Sequence, residues 1–587
     1  MRLRGKILIA VICLATSASP LLAQNVFLEL NLTNQPAAGL AQGAAFALAP
    51  RTHLDILRVI ERAGADDSVG GIVLNVSAFS EGHETLWELR QALEDFRARG
   101  KKIVAFIGSA NINTYFLATV ADKIVMDEQG TLTLLGYAWG RGYARRGLEM
   151  LGVGARELRY FEYKTASETF TRYSLSEADR RQYGEWLDDV MSVTREAITR
   201  SRSMTDEEFY SIVNTEFWFS PRGALERGLV DALGRRQAVV DAAREISGRE
   251  PTFVIFGDAR SSVTGASRFY GPDRFSGGRG GRRAPIIAVI NASGVTDMER
   301  GMAARNLARA IDDASRRSRV AAIVLRVNSP GGTPEAADHI ADAVKRARER
   351  VPVVVSMGAV AASGGYWAAM NASHITATPM TITGSIGVIA TWFYDRGLSD
   401  RLGLDVDVIQ RGSHADLMSG VILPRRDLNE AEQARFRRYI VDHYDAFVER
   451  VAASRGMEIE QVEAVAQGRI FSGIGALGAG LIDSVGGLGD AIQIARELAG
   501  IPEGQGVAFE QFPRPSFLDR MIGRLARARV PAMILRRAAP APPALEPALS
   551  AALLMSDLFL PAHLLEDLRF RIERNGRVMP MLPMGGW

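Results

Sequence analysis

Cysteine is nearly absent from this chain. The single one, Cys13, falls in the first two dozen residues, so the rest can form no internal disulfide, thiolate nucleophile or Cys-ligated zinc site. The seven histidines are scattered without HExxH or a similar spacing, which leaves a metal hydrolase no ligand set. Charge of one sign is lacking too: a net charge of +3 over 587 residues gives no reason to expect a nucleic-acid partner. A long apolar run is missing as well. Thr16, Ser17, Ser19 and Pro20 interrupt the N-terminal stretch before it reaches the ~20 residues of a spanning helix.

What is present is an ordinary globular composition, 47% apolar and 23% charged, in a chain long enough for several domains. Residues 1–23 read as an export signal or N-terminal anchor. Arg2, Arg4 and Lys6 form a basic start, Ile7 to Ala15 an apolar stretch, and Ala23 is a small residue suited to precede a cleavage point. Ile12 before Cys13 excludes a lipobox. Whether cleaved or retained, the segment sends the bulk of the protein out of the cytoplasm.

The chain then repeats itself. Gly71-Ile-Val-Leu-Asn-Val76 returns as Ala322-Ile-Val-Leu-Arg-Val327, and Lys101–Gly108 as Val351–Gly358. Tyr115–Ala118 returns as Tyr366–Ala369, and Phe219–Asp231 as Phe471–Asp483. Four matches in one order at nearly constant spacing mark a tandem duplication. The first copy is assigned to 24–273, a Gly/Arg linker to 274–283, the second copy to 284–512 and a C-terminal tail to 513–587. An RNA-binding arginine-glycine box is the other reading of 274–283, but the run is short and sits where the repeat restarts. In the tail, Phe517, Leu518, Met521, Ile522 and Leu525 with Arg520, Arg524 and Arg527 form an amphipathic helical pattern, suited to a membrane surface or to packing on its own domain.

Each copy alternates strand and helix. Ile323–Val327 and Val353–Val355 are β-branched runs of the kind buried in a parallel sheet. Between them Ala336, Ala337, Ile340, Ala343, Val344 and Ala347 recur at helical spacing, as Leu86, Leu89, Leu93 and Phe96 do in the first copy. The fold class is therefore α/β, with duplicated β-α-β domains, parallel strands, right-handed crossovers and helical extensions. One such extension opens with Ser176 and Asp179 in capping-box positions and matches the stretch from Asn429.

The copies differ where chemistry is to be expected. Asn328-Ser-Pro-Gly-Gly332 follows a strand in the second copy, while the first reads Val76-Ser-Ala-Phe-Ser-Glu81. Paired glycines let backbone N–H groups face a ligand, as an oxyanion hole requires, though Pro-Gly-Gly alone is only a turn. Ala361-Ala-Ser-Gly-Gly-Tyr-Trp367 sets Ser363 in a glycine-flanked turn at a helix start, and Ile112 stands opposite it in the first copy. A tight packing site with an incidental serine gives the same pattern. Thr383-Gly-Ser-Ile-Gly387 aligns with Leu132–Gly136, so Ser385 also lacks a counterpart. Lys164 is exclusive to the first copy, with Ala415 opposite. A lone lysine is ordinarily a solvated charge, but Tyr160, Phe161 and Tyr163 beside this one are suited to desolvate it and lower its pKa. A serine nucleophile requires a base, and the only histidines near Ser363 in sequence are His339 and His374.

In combination, Tyr163-Lys-Thr-Ala-Ser-Glu168, Asn328-Ser-Pro-Gly-Gly332, Ala-Ser-Gly-Gly-Tyr-Trp367 and Thr383-Gly-Ser-Ile-Gly387 resemble the long, duplicated form of the signal peptide peptidase A (protease IV) family, within the ClpP/crotonase-like superfamily. The resemblance covers roughly residues 25–505. It implies a serine endopeptidase with Ser363 as nucleophile, Lys164 as general base and acid, and Ser385 orienting the Lys164 amine. Gly332 and Gly364 are implied as the oxyanion hole, with Gly331 competing for the first place. It implies no cofactor and no metal, substrates that include cleaved signal peptides and other extended apolar peptides, a homotetramer, and a place at the periplasmic face of the bacterial inner membrane. No nucleic-acid partner is implied. A non-peptidase acyl-transfer or hydratase activity on the crotonase-like fold is the alternative, but export removes the CoA supply and no glutamate stands out as its acid or base. A non-catalytic scaffold predicts loss of Ser363 or Lys164, and both are present.

Overall fold

The duplicated apolar runs fold as the central strands of two sheets. The computed structural model describes residues 25–32, 53–77, 79, 81–255 and 284–512. The leader 1–23, the linker 274–283 and the tail with its amphipathic pattern lie outside the described residues. The first repeat supplies β1 (Val26–Asn31), β2 (Val69–Asn75), β3 (Lys102–Asn111), β4 (Lys123–Thr133), β5 (Val153–Leu158), β6 (Trp218–Phe219), β7 (Ala232–Leu233) and β8 (Thr252–Ile255). The second supplies β9 (Ile286–Ser293), β10 (Val320–Ser329), β11 (Val353–Ala362), β12 (His374–Ala377), β13 (Ile382–Gly384), β14 (Ala390–Asp395), β15 (Ile470–Phe471), β16 (Ser484–Val485) and β17 (Ala508–Phe512).

The sheet orders, β6-β4-β3-β2-β1-β8 and β15-β13-β11-β10-β9-β17, are the same order twice. The long β4 corresponds to β12 and β13 together, because Pro379 falls in the middle of that stretch and cannot donate to a ladder. Within these two sheets the strands are parallel as the β-α-β order requires, except that the edge strands β6 and β15 run antiparallel to β4 and β13.

Period-two alternation explains the layers. In the first sheet, Phe27, Val73, Val104 and Val125 face the helix Arg236–Ser247. Leu28, Leu30, Ile72 and Leu74 face the opposite way, into a core shared with the helices His53–Ala65 and His83–Ala98. That core continues into the second repeat through Ile287, Val289, Val324 and Val354 and the helix Leu488–Leu498. The other face of the second sheet packs on Ala304–Ser315 and Pro334–Arg348 through Ile286, Ile290, Ile323 and Leu325. The repeats are thus stacked, with the helices of the first lying against the sheet of the second.

Polar ties cross the same boundary. Arg326 donates to Glu88 at 2.6 Å, Trp186 Nε1 donates to the Met380 carbonyl at 3.0 Å, and Ser472 donates to Asp189. β5 and β14 pair antiparallel, one strand from each repeat, from Leu158↔Ala390 to Val153↔Asp395. Ser176 caps the helix Glu177–Arg202 by accepting from Asp179 N at 3.2 Å. The Asp179 carboxylate does not complete a capping box. It turns inward and accepts from Thr165 Oγ1 at 2.6 Å.

Candidate active site

Ser363 stands at the turn between β11 and the short helix Gly364–Ala369, with φ 55° and ψ −119°. A non-glycine residue at positive φ costs about 1–3 kcal/mol and persists only where its surroundings enforce it. Here Ser363 N donates to the Gly384 carbonyl at 2.9 Å, and its own carbonyl accepts from Trp367 N at 2.9 Å. Glycine is required around it for close approach. A Cβ on Gly331, itself at φ +104°, would lie 2.7 Å from Ser363 Cβ, and one on Gly365 would lie 2.6 Å from the Ser329 carbonyl oxygen. In the first repeat the same place is filled by apolar side chains, with Ile112 and Phe79 both buried.

The Gly331–Gly332 turn lies against this elbow. Gly331 N donates to Ser329 Oγ at 3.2 Å, and its carbonyl accepts from Thr296 N at 2.8 Å. Thr333 N takes the Thr296 carbonyl at 2.9 Å. The Gly332 and Gly364 N–H groups have no protein acceptor among the described residues, and a Cβ on Gly364 would sit 3.1 Å from Gly332 N. Two unspent donors therefore stand side by side next to Ser363. Gly331, whose N–H is already engaged, is the weaker candidate for that pair.

Lys164 lies on the turn that follows β5, and the stacking of the repeats brings its amine to the elbow. Nζ is 2.9 Å from Ser363 Oγ, 2.9 Å from Ser385 Oγ and 2.7 Å from the Ser385 carbonyl oxygen. Ser385, also at positive φ (51°), is held by its N–H to the Arg469 carbonyl at 2.7 Å. Burial lowers the Lys164 pKa from its ordinary 10.5 to about 7. The neighbouring aromatic rings each have partners of their own. Phe161 stacks on Tyr444, Tyr160 lies under Arg437, and the Tyr163 hydroxyl accepts from Arg181. Two glycines of the second repeat press on the lysine stem: a Cβ on Gly387 would meet Lys164 Cδ at 3.2 Å, and one on Gly468 would meet Lys164 Cβ at 2.5 Å.

A neutral amine has two hydrogens and one lone pair. The Ser385 carbonyl, which can only accept, takes one hydrogen, and Ser385 Oγ is placed for the other. The lone pair is then left for the Ser363 hydroxyl. His374 is engaged with Ser484 Oγ at 2.8 Å, and among the described residues no hydrogen bond joins a histidine to Ser363. Nor, among those residues, do three His, Cys, Asp or Glu side chains gather as a metal site. Hydroxyl, neutral amine and paired N–H donors are the parts of nucleophilic acyl transfer. The sequence missed Gly468, which carries no signal beyond being one glycine in a polar turn. Gly387 was visible only as the end of a glycine-rich motif.

The profile of Peptidase family S49 matches residues 95–249 and 345–502, once in each repeat. The chain is 31% identical over 458 residues to Protease 4 of Salmonella typhi, covering 76% of this chain and 72% of that one. It is 28% identical over 463 residues to the chloroplastic serine protease SPPA of Arabidopsis thaliana, covering 78% and 67%. Among solved structures, a membrane-bound stomatin-specific protease in complex with a substrate peptide matches 42% of this chain and 99% of its own, at 18% identity and a TM-score of 0.26.

Proposed function

The chain belongs to peptidase family S49, the protease IV family, and is a serine-type peptidase; on that premise we propose that it works through a Ser363/Lys164 dyad. Ser363 Oγ attacks the scissile carbonyl carbon as its proton passes to the neutral Lys164 amine. The Gly332 and Gly364 N–H groups hold the oxyanion, and Ser385 keeps the amine turned toward the hydroxyl. The resulting ammonium protonates the leaving amine, and Lys164 then takes a proton from the water that releases the acyl group. The observation that carries this reading is the 2.9 Å contact between two groups found in different repeats, each missing from the other repeat. A serine-reactive fluorophosphonate should label the wild type and not Ser363→Ala. Equal labelling of both would refute the nucleophile.

Cleaved signal peptides and other extended, apolar peptides are the proposed substrates, at the periplasmic face of a bacterial inner membrane. The basic and apolar start of the chain supports that address. Among the described residues no helix is long and apolar enough to cross a membrane. Carbonate washing of membrane fractions tests the address: release into the soluble fraction together with loss of residues 1–23 would replace it with a free periplasmic one.

Assembly into a homo-oligomer, a tetramer by the family resemblance, is part of the proposal, and an asymmetry between the repeats supports it. Within the chain, the helix Glu177–Arg202 covers the β13–β15 edge, burying Trp186 and leaving Ile386 at 0% and Ile470 at 7% exposure. Among the described residues nothing covers the equivalent edge of the first repeat, with Leu135 at 63% and Trp218 at 65% exposure. The equivalent helix of the second repeat, Glu430–Arg455, presents Tyr439 at 57% where its sister buries Trp186. One end of the chain thus shows an uncovered socket and the other an uncovered plug of the same kind, which a second copy satisfies head to tail.

A further inference from the structure

Gln182 is 2% exposed on the inner face of the helix Glu177–Arg202, and both ends of its amide are engaged. Nε2 donates to the Tyr163 carbonyl at 3.2 Å and to Thr165 Oγ1 at 3.0 Å, with Asp179 Oδ1 at 3.1 Å. Oε1 accepts from Ile470 N at 3.2 Å. Tyr163 and Thr165 flank Lys164. Ile470 follows Gly468, which walls the lysine stem, and Arg469, whose carbonyl anchors Ser385 N at 2.7 Å. One side chain therefore grips the turn that carries the amine and the strand that fixes the amine's acceptor.

Other ties between this helix and the second repeat do not do this. Trp186 reaches the Met380 carbonyl and Asp189 accepts from Ser472, both away from the Lys164 turn, while Glu185 pairs with Arg469, whose guanidinium lies 5.5 Å over the Tyr163 ring. The turn also meets the second repeat through its backbone, Tyr163 N donating to the Gln467 carbonyl at 2.9 Å, and through the rings of Tyr160, Phe161 and Tyr163 against Arg437, Tyr444 and Arg469. The second repeat has the exposed Arg435 in the place of Gln182, so the amide, like Lys164 itself, is a feature of the first repeat alone. The charged groups packed about the turn are paired: Asp179 with Arg141, Glu168 with Arg159, and Arg469 with Glu185.

We infer that Gln182 is a positioning residue for the general base, setting the register of Lys164 against Ser363 and Ser385 across the boundary between repeats. The inference rests on the Ser363/Lys164 reading. Only an amide spans both sides, because it adds a second donor to the Tyr163 carbonyl, which also accepts from Thr165 N at 2.9 Å, gives Ile470 N its acceptor, and has the length that the gap requires. Without that clamp the turn is free to move by tenths of an ångström, which spoils the approach of amine to hydroxyl and admits water to the stem.

The test compares steady-state hydrolysis of a fluorogenic peptide, as a function of pH, by full-length wild type, Gln182→Met, Gln182→Glu and Ser472→Ala. Gln182→Met keeps the volume and removes the hydrogen bonds. Its kcat should fall about tenfold or more with KM within about twofold of wild type, because the loss is one of alignment rather than binding. The acid limb of its kcat/KM profile should move up by about one pH unit or more as the amine becomes hydrated. Gln182→Glu keeps the acceptor for Ile470 N but turns a carboxylate oxygen toward the Tyr163 carbonyl. It should shift the limb in the same direction, and it decides the matter if the Met variant does not fold. Ser472→Ala cuts a tie of the same helix elsewhere and should keep the wild-type midpoint. Wild-type kcat and midpoint in the folded Gln182 variants, or an equal shift in Ser472→Ala, would overturn the inference. Failure of the underlying dyad is seen separately, as hydrolysis retained by Lys164→Ala.

Discussion

Arg326 of the second repeat reaches Glu88 of the first at 2.6 Å, with 11% and 1% of the two side chains exposed. Glu88 also accepts from Leu488 N at 2.9 Å and lies 2.6 Å from His53 Nε2. Burial alone would raise the Glu88 carboxyl, but the Arg326 charge and the hydrogen bonds from His53 and Arg326 outweigh it and hold it at about 2. A carboxyl held below its unfolded value adds stability above the unfolded pKa and loses it as pH falls through about 2. Removing one partner strands a buried charge. Glu88→Ala should therefore lower stability by about 3–5 kcal/mol in denaturant titration at pH 7, and Glu88→Ala/Arg326→Met by less than the sum of the single changes.

In the proposed dyad Lys164 accepts the serine proton only when neutral. With burial holding its pKa at about 7, kcat/KM should rise along one ionisation near pH 7 rather than near 10.5. Lys164→Arg should be inactive at every pH, since guanidinium does not deprotonate. A rise governed by a group that vanishes on replacing a histidine would assign the base elsewhere.

The same depressed pKa has a cost in stability. Between pH 10.5 and about 7 the unfolded chain holds the Lys164 proton more tightly than the folded one. The penalty is therefore absent above 10.5 and grows as pH falls toward 7. Lys164→Met keeps the stem and removes the penalty. It should stabilise the protein by about 2–4 kcal/mol at pH 7, with the gain shrinking toward zero in alkaline buffer. Thermal melts across that range check both the sign and the trend.

The proposed dyad joins two groups of one chain, 2.9 Å apart. Mixing full-length Ser363→Ala with full-length Lys164→Ala should leave hydrolysis at the level of either variant alone, at least about 10³-fold below wild type. Recovery on mixing would mean that the amine and the hydroxyl meet between subunits.

Trp218→Asp places a charge on the bare β4–β6 edge without touching the buried core. It should shift the mass measured by sedimentation velocity toward the monomer, weakening association about tenfold or more, while Ser363 still reacts with a fluorophosphonate. An unchanged mass would move the contact between copies elsewhere.

The alternation of strand and helix, the duplication and the contrast of Ser363 with Ile112 and Lys164 with Ala415 were legible in the sequence. Each leaves a local pattern or a difference between two aligned segments. The pairing of β5 with β14 left none, because it joins strands from opposite halves that carry no shared periodicity. The depressed pKa of Lys164 was expected from its aromatic neighbours. Burial does lower it, and Gly387 and Gly468 of the second repeat add close walls whose role depends on where that repeat lands. That the Gly331 N–H is already engaged by Ser329 Oγ is likewise something only three-dimensional partners reveal.

The order in which the pieces occur along the chain also sets when they meet. Lys164 comes first, then the Gly331–Gly332 turn and Ser363, then Ser385, and Gly468, which closes over the lysine, comes last. A polypeptide emerging from the ribosome, or threading through an export pore, thus carries a nucleophile without a desolvated base until almost all of both repeats has appeared. Until Gly468 and the strand after it dock, the amine stays hydrated and protonated at neutral pH, and the hydroxyl is no better a nucleophile than any other serine. On the proposed dyad, chains halted before residue 468 should therefore not react with a fluorophosphonate.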